Sequence, residues 1–530
     1  MAFDYDAIVV GSGFGGAVTC CRLAEQGYRV LVLERGRRWR SEDYPREPDA
    51  PWIFDQYDPS ARHGWLDIRW FPNMAVATGA GVGGGSLVYA SVVLNAKPDT
   101  FEQGWPPEIT YGELAPFYDR VGEMLNLQQV PANQWTERTR LMRDAAAAIR
   151  EPDRFQLVDM AVSFDDAWSY DLEDPHDRRH SRTFVNAEGK EQGTCIHLGN
   201  CDIGCDVGAK NTLDLNYIAR AEKHGAEVRP LHLVRRIAPE GDGYRVHYDQ
   251  IDGAGLTPGS ATGRIVVLAA GSLGSTELLL RCRDQHKSLP ALSRFLGRNW
   301  SSNGDLLVPA IYPDRRISPS RGPTITAAID CLGDRNVGGH HVFIEDGGFP
   351  DVLGNYLERR ARDRAWGLRS RALLATIRLI LRQRDPLPYL MPWFGQARDA
   401  ADGILSLKHR WWQWGDLRLS LQWDVARSEA TINALADMHS KLSTATGGHP
   451  IVPPTWTVAR DLITPHPLGG CNMGRTPEDG VVDHRGEVFG YHNLYIADAS
   501  VIPEALGLNP AKTVAALAER TAKLIIYEGR

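Results

Sequence analysis

The chain has 530 residues, with 59 Lys plus Arg against 66 Asp plus Glu, so its formal net charge is −7. This mildly acidic balance argues against nucleic acid as the main partner, because binding a phosphate backbone requires a basic face. The 43% hydrophobic and 24% charged fractions are typical of a globular chain and exclude collagen-like, disordered and disulfide-scaffold classes.

Eight cysteines are few for this length, and we expect most of them to be reduced and buried in a cytoplasmic protein. The chain opens MAFDYDAIVVG, with acids where a signal peptide carries a basic region. No apolar run reaches about 18 residues, so we expect no transmembrane helix.

The first predicted elements form a β-α-β unit. Residues 5–10 predict a buried strand, residues 14–26 a helix ended by Gly27, and residues 29–33 a second strand. The turn between the first strand and the helix matches G-x-G-x-x-G. Its members are Gly11, Ser12, Gly13, Phe14, Gly15 and Gly16.

This turn predicts a dinucleotide site. Its glycines permit a tight turn, close approach of a pyrophosphate and close packing of helix on strand, and the helix N-terminus favours an anion. Glu34, at the end of the second strand, is placed to accept hydrogen bonds from ribose hydroxyls. The motif does not distinguish FAD from NAD, and Arg35 leaves NADP open because an Arg can meet a 2′-phosphate.

A second glycine-rich stretch, GAGVGGGS, occupies residues 79–86. Its glycines let backbone amides approach an anion or a flat ring system. The residues that we assign to binding here are Gly79, Gly83, Gly84, Gly85 and Ser86.

Four side chains within 11 residues, Cys195, His197, Cys201 and Cys205, are ligand types for zinc or iron–sulfur clusters. The C-x5-C-x3-C spacing matches no standard site well. We therefore favour structural or redox-inert thiols over a metal centre.

Residues 357–414 are helical in composition and rich in Arg and Trp, and residues 372–381 are apolar except for Arg378. Two interpretations stay open: a lid or membrane-surface face through which an apolar substrate enters, and a packed helix with a solvated basic face. We favour the packed helix.

His466 lies between Pro465 and Pro467, which leave few backbone states and nearly fix the direction of its imidazole. Asn509 precedes Pro510 at the predicted start of a final helix, where plain N-capping would explain it. One apolar face of that helix consists of Val514, Leu517, Ala518, Ala522 and Ile525.

Strong α/β character is confined to residues 4–36, 263–280 and 493–526. This distribution favours one cofactor domain assembled from separated segments, with a second domain built from the inserts.

Taken together, these motifs resemble the glucose–methanol–choline (GMC) flavin oxidoreductases, in their cholesterol-oxidase-like branch. The resemblance runs nearly end to end and is densest in AIVVGSGFGGAV (7–18), GAGVGGGSLVYASVV (79–93), GAKNTLDLNYI (208–218), LAAGSLGSTELLL (268–280), HPLGGCNMG (466–474) and LYIADASVIPEALGLNPAKTVAALAER (494–520).

The resemblance implies the fold class: α/β, with a doubly wound, Rossmann-type FAD-binding domain and a second α+β substrate-binding domain whose antiparallel sheet is covered by helices. We assign residues 1–100, 205–300 and 462–530 to the FAD domain, and residues 101–204 and 301–461 to the substrate domain.

The resemblance also implies the cofactor and its further contacts. FAD is expected to be non-covalent, because residues 79–86 lack the His to which some relatives attach it. Val234 resembles a strand position whose backbone contacts adenine, although an ordinary strand Val explains it nearly as well. The remaining implied FAD contacts are Ala270, Gly271, Asp498, Ala499, Asn509, Pro510 and Thr513.

In the family the His and Asn of these motifs act together over the flavin. His466 would take the hydroxyl proton of an alcohol, Asn509 would orient the oxygen, and hydride would pass to flavin N5. Glu345, in HHVFIEDGGFP, resembles the carboxylate that moves a ring double bond during isomerisation, against the alternative of a strand-end acid.

The implied activity is oxidation of a bulky, mainly apolar alcohol of sterol or steroid type, with O2 or another acceptor reoxidising the flavin and no metal required. Three alternatives stay open: a dehydrogenase of sugars, aryl or terpenoid alcohols that uses a non-oxygen acceptor, an NAD(P)H-dependent reductase, and a flavin-binding protein without turnover. The oligomeric state is not predicted.

Overall fold

The first β-α-β unit forms where the sequence predicts it, in a computed structural model that describes residues 3–44, 46–47, 51–253, 255–352, 387–409, 417–457 and 460–528. The strands are β1 (Tyr5–Val10), β2 (Val30–Leu33), β3 (Leu66–Phe71), β4 (Met74–Gly79), β5 (Phe155–Leu157), β6 (Phe184–Val185), β7 (Glu191–Gln192), β8 (Glu227–Arg229), β9 (His232–Glu240), β10 (Gly243–Asp252), β11 (Gly255–Leu268), β12 (Leu306–Ile311), β13 (Ala327–Cys331), β14 (Val342–Glu345), β15 (Leu390–Ala397), β16 (Ile404–His409), β17 (Leu417–Gln422), β18 (His449–Pro450), β19 (Leu462–Thr464) and β20 (Leu494–Ile496).

The helices of the described residues are α1 (Phe14–Glu25), α2 (Tyr111–Met124), α3 (Glu137–Ala148), α4 (Tyr217–Lys223), α5 (Gly271–Leu280), α6 (Glu429–Ala445), α7 (Pro454–Thr457) and α8 (Ala511–Glu528). Helix α1 starts at the predicted residue and ends one residue early. All five residues of the predicted apolar face of the final helix are buried in α8.

The larger sheet has the order β8-β2-β1-β11-β10-β9, and β20 pairs with the last residues of β11. The pairings β8-β2, β2-β1, β1-β11 and β11-β20 are parallel, whereas β9, β10 and the first part of β11 form an antiparallel meander. Since parallel strands end at the same edge, the loops after β1, β2, β11 and β20 meet there, where open α/β sheets bind their ligands.

Alternate residues of β1 face opposite sides of this sheet. Ala7 and Val9 pack in one core with α1, α4 and α8, while Ile8 and Val10 pack in another with α5. Both faces are covered, which explains the continuous apolar run of the strand.

The second sheet has the order β18-β12-β15-β14-β13-β5, and all of its pairings are antiparallel. Helix α6 packs against it through Ile432, Leu435 and Leu442, which are fully buried. The predicted fold class, a doubly wound α/β unit with an antiparallel sheet beside it, is confirmed.

Every strand of the larger sheet, which we call the parallel sheet after its pairings around β1, lies within residues 1–100, 205–300 or 462–530. Every strand of the second sheet, which we call the antiparallel sheet, lies within 101–204 or 301–461. We propose this division into two domains. Helix α2, from the second set of segments, packs against α8 of the first.

Among the described residues, none of the helices is long and apolar enough to cross a bilayer. Residues 372–381, for which the sequence left a packed helix and a lid or membrane-surface face open, lie outside the described residues, as do 357–371, 382–386 and 410–414. The described part of the stretch, residues 387–409, contains strands β15 and β16, so the prediction of helix is wrong there.

Candidate active site

The turn between β1 and α1 consists of bare backbone. Gly13 stands at the N-cap of α1 and has no side chain with which to cap it, so the first helical amides stay available to an anion. A Cβ on Gly15 would lie 1.7 Å from the carbonyl oxygen of Ala497. Only glycine lets α1 approach the loop after β20 so closely.

The second glycine-rich stretch lies against the first. A Cβ on Gly84 would lie 2.5 Å from the Cα of Gly13, and the Gly83 N–H donates to Ser12 Oγ at 3.1 Å. A Cβ on Gly85 would meet no atom within 4 Å. Bare backbone, open space and an uncapped helix N-terminus together fit the pyrophosphate of a dinucleotide.

Glu34 closes this cradle from the end of β2. Its Oε2 accepts from the Ser12 N–H at 3.0 Å and from the Ser12 hydroxyl at 2.7 Å, and its Oε1 accepts from the Gly36 N–H at 2.8 Å. Arg35, which leaves a 2′-phosphate open in the sequence, is paired with Asp67 at 2.6 Å. Its charge is therefore already matched by a carboxylate.

Asp498 joins two of the loops at the same edge. One carboxylate oxygen accepts from the Gly271 N–H and the other from the Ser500 N–H, both at 2.9 Å. The Ala499 carbonyl accepts from the Gly469 N–H at 2.9 Å, three residues after His466. The His466 loop is thereby held against the cofactor edge.

Three further predicted cofactor residues lie in three different elements. Ala270 is at the N-cap of α5, Val234 is in β9, and Thr513 is buried in α8 with its Oγ1 3.0 Å from the Tyr118 hydroxyl oxygen. Contacts of these residues with a cofactor stay a prediction.

The frame of His466 begins with β19. This strand pairs in parallel with β4, which leads into the glycine-rich stretch 79–86. The His466 N–H donates to Thr464 Oγ1 at 2.8 Å, and the two flanking prolines restrict the rest of the turn. The side chain of His466 is 17% exposed.

Asp305 orients the ring of His466. Its carboxylate oxygens lie 3.0 and 3.1 Å from Nδ1, and its side chain is fully buried. Because a carboxylate accepts, Nδ1 carries the hydrogen and Nε2 is left as the basic nitrogen. Burial opposes the charged imidazolium, but the Asp305 charge and hydrogen bond, with Glu345 adding to them, raise the pKa of His466 above its ordinary value.

Glu345 and Asn509 meet beside this pair. Glu345 Oε2 accepts from Gln396 Nε2 at 2.8 Å and faces Asn509 Nδ2 at 3.4 Å. Burial raises the pKa of Glu345 to about 7, and the hydrogen bond from Gln396 opposes this rise. Glu345 Oε1 and Asn509 Oδ1 are buried without a hydrogen-bond partner in the part of the chain that the structure describes.

Asn509 does not occupy the N-cap position that its sequence context predicts, because the final helix begins one residue later. The Val514 N–H donates to the Pro510 carbonyl at 3.0 Å, so Pro510, and not Asn509, occupies the N-cap of α8. The side chain of Asn509 does not cap the helix, and its Nδ2 faces Glu345 instead.

Sequence reasoning missed Asp305 and Gln396. Asp305 ends the polar run SSNGD immediately before the apolar strand β12, and Gln396 interrupts the otherwise apolar strand LMPWFGQA. In both cases the sequence signal was a polar residue within or directly beside an apolar strand, where burial is expected.

The cysteine stretch shows no metal arrangement: within the described ranges, no group of three or more His, Cys, Asp or Glu side chains is placed to hold an ion. His197 is fully buried, with Nδ1 2.8 Å from the Tyr170 hydroxyl and Nε2 3.3 Å from Gln134 Oε1. Both ring nitrogens are thus engaged, and all three cysteines of the stretch are free thiols.

Comparison with known proteins shows the family of this chain. Residues 400–518 match a family model described as GMC oxidoreductase, and residues 9–63 match an NAD(P)-binding Rossmann-like domain. A cholesterol oxidase of Acinetobacter baumannii is 30% identical, covering 99% of this chain and 94% of its own. One of Mycobacterium tuberculosis is 31% identical, covering 98% and 91%.

This chain belongs to the GMC oxidoreductase family. It is accordingly an FAD-dependent oxidoreductase that acts on CH–OH donors. The crystal structure of pyridoxine 4-oxidase from Mesorbium loti matches this GMC enzyme with a TM-score of 0.65 at 17% identity, covering 98% of this chain and 99% of that one. That match shows the shared fold.

Proposed function

We propose that this GMC enzyme oxidises the hydroxyl group of a bulky, mainly apolar alcohol of sterol or steroid type to a carbonyl. The observation that carries the proposal is the His466–Asp305 pair, in which the buried Asp305 carboxylate bonds Nδ1 and leaves Nε2 as the basic nitrogen. The His466 ring lies close enough to Glu345 for their charges to interact, and Glu345 faces Asn509 at 3.4 Å. Two cholesterol oxidases at 30% and 31% identity over nearly the whole chain support the substrate class.

His466 is the base of this proposal. Its Nε2 accepts the hydroxyl proton of the substrate, and Asp305 stabilises the imidazolium that results. When bound, FAD supplies the acceptor for the hydride that leaves the carbinol carbon. Phe394, whose ring centre lies 6.1 Å from that of His466, gives the site an apolar wall that suits a hydrocarbon skeleton.

Asn509 orients the reacting oxygen. Its amide can bond a hydroxyl without competing for the proton, and the unpartnered Oδ1 marks an acceptor that a ligand or water would satisfy. Glu345, with a pKa of about 7, is suited to take and return a proton next to the new carbonyl group. We propose that it moves a ring double bond where the substrate has one.

FAD binding in this proposal is non-covalent. The glycine-rich stretch 79–86 contains no His, Cys or Tyr to which the cofactor could be attached. Denaturing the purified holoenzyme is therefore expected to release all of the yellow colour into the supernatant.

The substrate class is tested by anaerobic bleaching of the flavin spectrum with a panel of 3β-hydroxysteroids, sugars and aryl alcohols. Bleaching by the steroids alone supports the proposal, and bleaching by sugars or aryl alcohols but not by steroids contradicts it. Admitting air afterwards shows by the speed of colour recovery whether O2 or another acceptor serves the enzyme.

A further inference from the structure

We propose that Asn303 is a positioning residue that fixes Asn509 in the active site, an inference that rests on the proposed function. Asn303 lies in the turn before β12, about 200 residues from the segment it holds. Its amide joins that turn to the peptides immediately before Asn509.

Both ends of the Asn303 amide are engaged with this segment. Oδ1 accepts from the Gly507 N–H at 2.8 Å, and Nδ2 donates to the Leu508 carbonyl at 2.9 Å. Asn303 is fully buried, so these bonds are shielded from water. The Leu508 carbonyl and the Asn509 nitrogen belong to the same peptide group. By bonding that carbonyl, Asn303 fixes the orientation of the peptide plane that precedes the Asn509 side chain.

The backbone of Asn303 is itself adapted to this task. Its φ of +57° lies in the left-handed region, which Asn tolerates better than most residues with a side chain. On the far side of Asn509, Pro510 restricts the preceding residue to extended geometry. Asn509 is thus constrained from both sides, by hydrogen bonds before it and by a ring after it.

The same turn holds the other half of the site. Asp305, two residues after Asn303, bonds His466 Nδ1, so one short loop sets both His466 and Asn509. Asp399 anchors the loop by accepting from the Ser301 hydroxyl at 2.7 Å and the Ser302 N–H at 2.9 Å. The turn from Ser301 to Asp305 therefore fixes the position of His466 relative to Asn509.

The test compares Asn303→Gly, which keeps the left-handed backbone, with Asn211→Ala. Asn211 is a buried asparagine whose Nδ2 donates to the Leu125 carbonyl at the same 2.9 Å. Asn303→Gly is expected to slow anaerobic flavin bleaching by about 10- to 100-fold, because small misplacements of an orienting group are costly. Its pH–rate profile should keep the wild-type acid limb, since the His466–Asp305 pair is untouched, and Asn211→Ala should keep the wild-type rate.

A double-mutant cycle with Asn509→Ala separates positioning from general damage. If Asn303 acts through Asn509, Asn303→Gly causes no further slowing in the Asn509→Ala background. Equal slowing in both backgrounds, or a wild-type rate for Asn303→Gly alone, overturns the inference. Should Asn303→Gly fail to fold, Asn303→Asp, which keeps the volume and the acceptor for Gly507, takes its place.

A crystal structure of the Asn303 variant distinguishes failure of this inference from failure of the proposed function. Displacement of Asn509 supports the inference even if no alcohol reduces the wild-type flavin. An Asn509 that stays in place overturns it even if alcohols reduce the wild-type enzyme.

Discussion

At the scale of single residues, Asp305 determines what His466 can do. The two are 161 positions apart, yet the carboxylate lies 3.0 Å from Nδ1 and fixes which ring nitrogen carries the hydrogen. Without that partner, burial alone would lower the pKa of the imidazole and leave a weaker base.

Asp305→Asn is expected to lower the pKa of His466, because the negative charge that raises it is gone. The base must be neutral to act, so the acid limb of the pH–rate profile should move to lower pH, while the plateau rate falls by about 10²-fold. Anaerobic bleaching measured from pH 5 to 9 checks both effects.

The control for this variant is Asp330→Asn, which removes the charge of a buried aspartate that pairs with Lys97 at 2.5 Å. Its acid limb should coincide with that of the wild type. An Asp305→Asn enzyme with an unshifted acid limb would show that the carboxylate does not act through His466.

His466 and Glu34 could be found from the sequence because each stands in a local pattern, a Pro-His-Pro turn and the end of a strand in a G-x-G-x-x-G unit. Asp305 could not be paired with His466, because nothing local in either segment encodes a contact across 161 residues. Glu345 and Asn509 were each named from the family resemblance, but their contact across 164 residues is visible only in the structure.

At the scale of elements, the two glycine-rich stretches act as one cradle with distinct tasks for its glycines. Gly15 is required by close packing, since its Cβ would collide with the Ala497 carbonyl. Gly85 is free of such contacts and borders open space.

We predict that alanine at either glycine weakens FAD binding, but that only alanine at Gly15 destabilises the apoprotein. Gly15→Ala should lower the free energy of unfolding of the apoprotein by about 1–3 kcal/mol or more, as overpacking does, and abolish FAD binding. Gly85→Ala should leave apoprotein stability unchanged and raise the Kd for FAD about tenfold or more, because the new methyl would enter the open space in which we propose that the pyrophosphate binds. Urea unfolding and fluorescence titration with FAD measure the two quantities, and equal stability losses would contradict the division of tasks.

Helix α6 carries a buried histidine into the core of the antiparallel sheet. His439 is fully buried, and a Cβ on Gly395 would lie 2.9 Å from its Nε2. Burial lowers the pKa of His439 to about 3. Because this lies below the ordinary pKa of about 6.5 in the unfolded chain, stability is intact above pH 6.5 and is lost as the pH falls towards 3.

His439→Leu should remove this part of the pH dependence. Between pH 8 and pH 5, protonation of this histidine in the unfolded chain lowers the unfolding free energy of the wild type by about 2 kcal/mol. The variant has no imidazole at this position, so its unfolding free energy should fall by about 2 kcal/mol less over the same range. Urea unfolding at both pH values provides the comparison, with the exposed His449→Gln as the control. A variant as acid-sensitive as the wild type would contradict the assignment.

The elements themselves were predictable to different degrees. Strand β1, helix α1 and helix α8 follow from apolar periodicity with Gly and Pro at their ends, and the structure places them within a residue or two of the prediction. The antiparallel sheet pairs short strands that are distant in sequence, such as β5 with β13, whose register no local pattern specifies.

At the scale of the whole molecule, the site lies where the two sheets meet. The glycine cradle and His466 belong to the segments of the parallel sheet, while Glu345 and Gln396 project from adjacent strands of the antiparallel sheet. In the function that we propose, the cofactor is held by the segments of the first sheet, and the second sheet adds Glu345 and Gln396 on the substrate side. The turn from Ser301 to Asp305 bonds both His466, through Asp305, and the segment before Asn509, through Asn303.

The central claim, that His466 is the base for alcohol oxidation, is tested most directly by anaerobic flavin bleaching in His466→Ala with a 3β-hydroxysteroid that bleaches the wild type. The variant is expected to retain a full complement of FAD and to bleach about 10²- to 10⁴-fold more slowly, the usual contribution of a positioned base. Bleaching at the wild-type rate with FAD fully bound would contradict the account.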